Sequence, residues 1–228
     1  MSEEKLKSKK NEVYRRERTV NGKTYDVVEK EFTDAKRFHM EHTIHGLLSK
    51  GGVPVARLLG VEAPSGEFRG KLIYEFIDGD IVLELLSDGH VVKEALLRTV
   101  DWMKRFYMAT PCEPGGGQWL LGDIHLRNFI YRREGREVYG IDFEDAEIGI
   151  IERDVGKLFL YIATYEPEYS KPHLEAAEFF LNRAIAEFQL DKARLLNAAA
   201  DESHLMAERR GAEIKTDLLI PMMERNFK

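Results

Sequence analysis

Two polar clusters joined by a single short hairpin constrain this chain more than any other feature. The first is Gly122-Asp123-Ile124-His125-Leu126-Arg127-Asn128, and the second is Ile141-Asp142-Phe143-Glu144-Asp145. Between them run two strand-like segments, Phe129–Arg132 and Val138–Ile141, with the turn-forming Glu134-Gly135 in the middle. A strand, a turn and a returning strand bring their ends together, so Asn128 and Asp142 are expected side by side at one edge. Asp and Asn are ordinary loop residues, and any one of them alone would read as turn chemistry. The pattern they make with the upstream half of the chain gives them weight.

That upstream half reads as strands around one helix. Val13–Arg18 and Thr24–Phe32 flank Asn21-Gly22, a dipeptide that favours the positive φ of a tight hairpin turn. In the second strand Val28, Lys30 and Phe32 share a face, which sets a lysine between apolar neighbours. Thr33-Asp34 predicts the cap of a helix running to about Lys50, where Gly51-Gly52 ends it. Its stripe is Phe38, Glu41, Ile44 and Leu48, and a carboxylate on an apolar stripe needs a partner because burying it alone is costly. Val55–Glu62 and Lys71–Ile77 read as two further strands around Pro64-Ser65-Gly66, the second almost continuously apolar. Asp78-Gly79-Asp80 breaks that pattern, and the hinge between two lobes is placed at Glu75–Gly79.

Beyond the hinge, helices dominate. Val92, Leu96, Met103 and Tyr107 space out one amphipathic helix, and Leu174, Ala177, Leu181, Ala184 and Phe188 another. The fold expected is α+β and bilobal. An N-lobe over residues 1–78 holds a small antiparallel sheet and one helix, and a mainly helical C-lobe spans 79–228, with a loop at 121–128 and a segment at 141–145.

Composition narrows the function classes. At 228 residues and 43% hydrophobic the chain buries a substantial core. No apolar run approaches the roughly 20 residues of a membrane span, and MSEEKLKSKK is charged where a signal peptide turns apolar, so a cytoplasmic, membrane-free protein is expected. The lone Cys112 has no partner for an internal disulfide and excludes a cysteine-built metal cluster. A net charge of −6 offers polyanions no overall attraction, and the basic runs Lys5–Lys10, Arg15–Arg18 and Arg132–Arg136 carry no groove-reading motif, which argues against nucleic acid. Gly115–Gly117 follows a predicted helix and Pro114, so it is read as a connection, not a phosphate cradle.

Phosphoryl transfer needs a carboxylate to orient an acceptor hydroxyl and oxygen ligands to hold a divalent cation against phosphates, and Asp123, Asn128 and Asp142 supply that set. GDIHLRNFIY resembles the GDLHPGNIL catalytic loop of the aminoglycoside and choline phosphotransferase branch of the protein-kinase-like superfamily. IDFEDAEIGIIERDVGKL likewise resembles that family's IDFEDA segment with its downstream Asp. The similarity spans roughly residues 12 to 165. It implies Asp123 as catalytic base, Asn128 and Asp142 as metal ligands, His125 as a loop-shaping residue and Asp154 as a brace from the next helix. Lys30 resembles the lysine that contacts ATP phosphates, and Glu41 the glutamate that pairs with it. KLIYEFIDG resembles the LVYEYIEG hinge strand, which implies that backbone groups of Glu75, Phe76 and Ile77 meet the adenine edge.

The implied activity is transfer of the γ-phosphoryl group of ATP, with Mg²⁺, to a hydroxyl of a small molecule. The same pattern also suits an atypical protein serine/threonine kinase, since small kinases acting on proteins or in tRNA modification, and lipopolysaccharide core-sugar kinases, are similar. A partner-binding pseudokinase is a third reading. Leu121 stands where the family's loop usually has His. Ser8-Lys9-Lys10-Asn11 stands where a glycine-rich loop is expected, so either lysines replace backbone amides as phosphate partners or nucleotide affinity is weak. Asp78, Asp80, Glu84, Asp145 and Glu147 are expected near the acceptor, either as a site for a cationic acceptor or as solvated rim.

Overall fold

In a computed structural model of the chain, residues 4–227 are described apart from 7, 9, 21, 90 and 112–116. Lys9, Asn21, Cys112 and Pro114–Gly116, all used in the sequence reading, lie outside the described residues.

A short strand β1 (Glu4–Leu6) leads to the long hairpin of β2 (Glu12–Val20) and β3 (Lys23–Glu31), whose register runs from Glu12 opposite Glu31 to Val20 opposite Lys23. Gly22 takes φ +78°, the conformation that makes this two-residue connection possible. Helix α1 (Ala35–Lys50) follows, started by the Asp34 carboxylate, which accepts the Lys36 N–H, and ended by Gly51. Strands β4 (Leu58–Glu62) and β5 (Lys71–Glu75) then complete an antiparallel sheet in the order β1-β2-β3-β5-β4. Phe38 of α1 packs edge-on against Phe32, with ring centroids 5.6 Å apart, and joins Leu72 and Tyr74 in a small cluster under the sheet. Glu41, Ile44 and Leu48 are buried on the same stripe, as their helical spacing requires.

The remaining chain is mainly helical. After β6 (Asp80–Ile81) and a 3₁₀ turn at Val82–Ser87 comes α2 (Val91–Ala109), with Val92, Leu96, Met103 and Tyr107 buried. Short strands β7 (Gln118–Leu120), β8 (Phe129–Arg132), β9 (Glu137–Gly140) and β10 (Glu147–Gly149) precede α3 (Ile151–Thr164), α4 (Lys171–Phe188), α5 (Lys192–Arg210) and α6 (Thr216–Arg225). Trp102 of α2 anchors the core. Its ring lies 5.6 Å from Phe106, 5.4 Å from Phe129 and 6.1 Å from Phe143, and its indole N–H donates to the Pro54 carbonyl at 2.7 Å. One buried aromatic thus sets both the hairpin and the polar segment beyond it against α2, and burying such rings contributes about 1.5–3 kcal/mol each. No helix among the described residues is long and apolar enough to cross a membrane.

Candidate active site

The two polar clusters are held together from both sides. On one side β8 pairs with β9, Phe129 opposite Gly140, and the Ile141 N–H donates to the Asn128 carbonyl at 2.9 Å. On the other, β7 pairs with β10, Leu120 opposite Glu147. The sequence points to the first of these clamps. It hides the second, because Gln118–Leu120 and Glu147–Gly149 are three residues each and show no alternation. Buried Asp154 on α3 adds a third tie, accepting the Leu121 N–H at 2.9 Å and the Tyr107 hydroxyl at 3.0 Å. Burial pushes its pKa up to about 6 while those hydrogen bonds oppose the rise. Lys157 adds a fourth by donating to the Gly122 carbonyl at 2.8 Å.

Lys30 sits at the centre of the polar groups. Its ammonium lies 3.0 Å from Glu41 Oε2, 2.6 Å from Asp142 Oδ1 and 2.9 Å from Glu144 Oε2. Burial works to lower the Lys30 pKa, but the three carboxylates outweigh it and the ammonium is held charged. Glu41 accepts two further hydrogen bonds, from the Tyr74 hydroxyl at 3.0 Å and the Phe143 N–H at 2.8 Å. The helix carboxylate that the sequence leaves in need of a partner therefore joins β3, β5 and the segment carrying Asp142. Burial and the adjacent carboxylates hold the Glu41 pKa above its ordinary value against the pull of Lys30. Asp142 stands at φ +68° with its pKa lowered: burial pushes it up and Lys30 more than reverses that.

Asn128 is buried, and its side-chain N–H donates to the Asp123 carbonyl at 2.7 Å, which leaves its oxygen as a donor atom for a cation. The Asp123 carboxylate is 42% exposed and lies 3.5 Å from the Lys10 ammonium. His125 packs edge-on against Tyr161, its buried Nδ1 has no hydrogen-bond partner among the described residues, and burial lowers its pKa. In the strand-end segment the Glu75 N–H donates to Arg57 and the Phe76 N–H to Asp26, both at 2.9 Å, so these two amides are committed within the sheet.

Two acidic residues of the IDFEDA segment complete the picture. Glu144, inside the IDFEDA segment, is buried and meets Lys30, Arg37 and the side-chain N–H of Asn11. Asp145 is held by Lys10 at 2.5 Å and Arg37 at 3.2 Å. The acidic residues expected near an acceptor are largely neutralised, with Asp80 on Arg133 at 2.6 Å and Glu147 on Arg153 at 2.8 Å, which favours the rim reading.

The fold has clear relatives. The family model described as "Phosphotransferase enzyme family" matches residues 93–194, a stretch that contains Asp123, Asn128, Asp142 and Asp154. Aminoglycoside 2'-phosphotransferase-IIIa, solved as a GDP complex, superposes with a TM-score of 0.63 at 14% identity, covering 99% of this chain and 92% of that one. An aminoglycoside phosphotransferase from Streptomyces rimosus gives 0.62 at 14% identity over 86% and 90%. An amicoumacin kinase in complex with AMP-PNP and Ca²⁺ gives 0.57 at 17% over 86% and 75%.

The fold is protein-kinase-like.

The family model covers fewer than half of the residues and these neighbours are 14–17% identical, so what they have in common with this chain is the fold. No curated protein matches the sequence. In this fold the antiparallel sheet with α1 supplies Lys30 and Glu41, and the mainly helical part supplies Asp123, Asn128 and Asp142.

Proposed function

We propose that this chain transfers the γ-phosphoryl group of ATP, in a Mg²⁺-dependent reaction, to a hydroxyl of a small molecule. The observation that carries the reading is the Lys30 ammonium, bound at once to Glu41 on α1 and to Asp142 beside Asn128 and Asp123. Five residues from separate elements, spread over positions 30 to 142, converge in one place, each of a type that phosphoryl transfer uses. A noncatalytic, partner-binding role gives no reason for all five to be present and connected.

Hard oxygen donors fit a Mg²⁺ ion, and Asn128 and Asp142 offer them. Charge fits as well: Lys10, Lys30 and Arg37 face the carboxylates of Glu41, Asp123, Asp142, Glu144 and Asp145, an excess of two negative charges. When bound, Mg²⁺ would neutralise phosphate oxygens and polarise the bond to be broken. Lys30, held by Glu41, orients the phosphates. The Ile77 amide and the backbone carbonyls of the Glu75–Ile77 segment meet the adenine edge. Asp123 accepts the proton of the acceptor hydroxyl as it attacks phosphorus, and the β–γ bridging oxygen leaves with ADP. Asp154 and His125 keep the Asp123 loop in place.

The small-molecule acceptor is supported by the aminoglycoside and amicoumacin kinases that share the fold. The test is turnover of ATP against a panel of aminoglycosides, amino alcohols, sugars and generic protein substrates. Asp123→Ala should lower kcat by roughly 10²- to 10⁴-fold with ATP binding retained. Unchanged turnover in that variant contradicts the assignment.

A further inference from the structure

The connection between β1 and β2 falls where the sequence resemblance leads one to expect a glycine-rich loop, yet its residues run Lys7-Ser8-Lys9-Lys10-Asn11, without glycine. Lys7 and Lys9 lie outside the described residues. The remaining three form a fixed structure. Leu6 pairs with Val13, so the connection closes an antiparallel hairpin. The Ser8 hydroxyl accepts the Asn11 N–H at 3.2 Å. Asn11 is buried, and its side chain donates to Glu144 and accepts the Thr33 N–H at 3.3 Å. The Thr33 hydroxyl in turn donates to the Lys10 carbonyl at 2.8 Å. The Lys10 backbone is thereby tied both to the end of β3 and to the segment that carries Asp142.

From this anchor the Lys10 ammonium reaches 2.5 Å from Asp145 Oδ2 and 3.5 Å from Asp123 Oδ2. Arg37 holds the other Asp145 oxygen at 3.2 Å, so Asp145 has a second cation and does not depend on Lys10 alone. A positive charge thus lies close to the candidate base and on Asp145, three residues along the chain from the Asp142 that Lys30 holds at 2.6 Å.

We propose that Lys10 is a nucleotide-contacting residue whose ammonium binds the terminal phosphate of ATP, doing by side chain what a glycine-rich connection does with backbone amides. The inference rests on Asp123 being the base: the transferred phosphorus must come within bonding reach of the hydroxyl that Asp123 orients, and Lys10 lies 3.5 Å from that carboxylate. It sets Lys10 apart from Lys30 by position. Lys30 is buried among the carboxylates of α1 and of the 141–145 segment, whereas Lys10, with its side chain 38% exposed, can turn from Asp145 to a phosphate oxygen.

The alternative is a surface ion pair that merely fastens the connection down, which contributes little to stability and is indifferent to phosphate number. Isothermal titration of the full chain in Mg²⁺ with AMP-PNP, ADP and AMP, on wild type, Lys10→Met and Lys10→Arg, separates the two. The expected result is that Lys10→Met weakens AMP-PNP by about tenfold or more, as loss of a charged hydrogen bond implies, while ADP and AMP bind as to wild type. Lys10→Arg should recover most of the loss, and the melting temperature should stay close to wild type. AMP-PNP binding unchanged in Lys10→Met, or all three nucleotides weakened alike, overturns the role of Lys10. Wild type that binds none of them overturns the nucleotide reading itself, and the inference with it.

Discussion

Replacing Gly122 by alanine perturbs the candidate site without touching any charged group. Gly122 has φ +70°, and a Cβ built on it lies 2.0 Å from the Asp145 carbonyl oxygen. Ordinary contact begins near 3.4 Å, so the loop carrying Asp123 and the segment carrying Asp142 must part by at least 1.4 Å. The obstacle is backbone, clamped by the β7–β10 pair, and does not swing aside as a side chain would. Left-handed backbone costs a non-glycine residue about 1–2 kcal/mol, and forced repacking adds about 1–3 kcal/mol. Gly122→Ala should therefore lose roughly 2–5 kcal/mol of stability and melt several degrees lower. A displacement of about 1 Å at reacting groups costs on the order of 10²-fold in rate, so magnesium-dependent ATP turnover should fall by at least that factor at a temperature where the variant is folded. The assay is a melting curve beside ATP-consumption kinetics. A Gly122→Ala variant with wild-type melting temperature and turnover refutes the account of how the two segments are held.

Asp154 carries a pH dependence. Its pKa of about 6 exceeds the ordinary value near 3.8, so the folded state holds the proton more tightly. Stability is then fully present below about pH 4 and declines as pH rises to about 6, a loss of roughly 3 kcal/mol. Denaturant unfolding at pH 4.5 and 7 should show Asp154→Asn with a flatter profile than wild type; parallel profiles contradict the reading. Lys30→Met leaves Glu41 and Glu144, each with a side chain 3% exposed, without their ammonium. Breaking a buried pair costs about 3–5 kcal/mol. Without the Lys30 ammonium burial raises the Glu41 pKa further, so the loss at pH 7 should shrink at pH 5, and an equal loss at both pH values argues against Lys30 as the counter-ion of Glu41.

The sequence reaches far into this fold because its strongest signals are local. Gly22 and Asp34 mark the hairpin and the start of α1, and the stripe of Phe38, Glu41, Ile44 and Leu48 appears in the structure as a buried face. Lys30 and Glu41 are legible as oddities, each charged in an apolar context, and the structure joins them at 3.0 Å. What escapes the sequence is long-range. The β7–β10 clamp rests on three-residue strands too short for periodicity, and the role of Asn11 arises from its contacts with residues 22 and 133 positions away. Glu144 is visible in its motif, but only packing shows that it shares the Lys30 ammonium with Glu41 and Asp142. The partners of two of the acidic residues expected near the acceptor are likewise invisible in the sequence, because Arg133 for Asp80 and Lys10 for Asp145 come from distant segments.

The most direct test of the proposed phosphotransferase is isothermal titration with AMP-PNP, with and without Mg²⁺, on wild type and Asp142→Asn. Asparagine tolerates the left-handed backbone at this position and keeps the side-chain shape while removing the charge. The account predicts binding to wild type that requires Mg²⁺ and is lost or strongly weakened in Asp142→Asn. Absence of binding to wild type at millimolar nucleotide, or Mg²⁺-dependent binding that the variant retains in full, contradicts it.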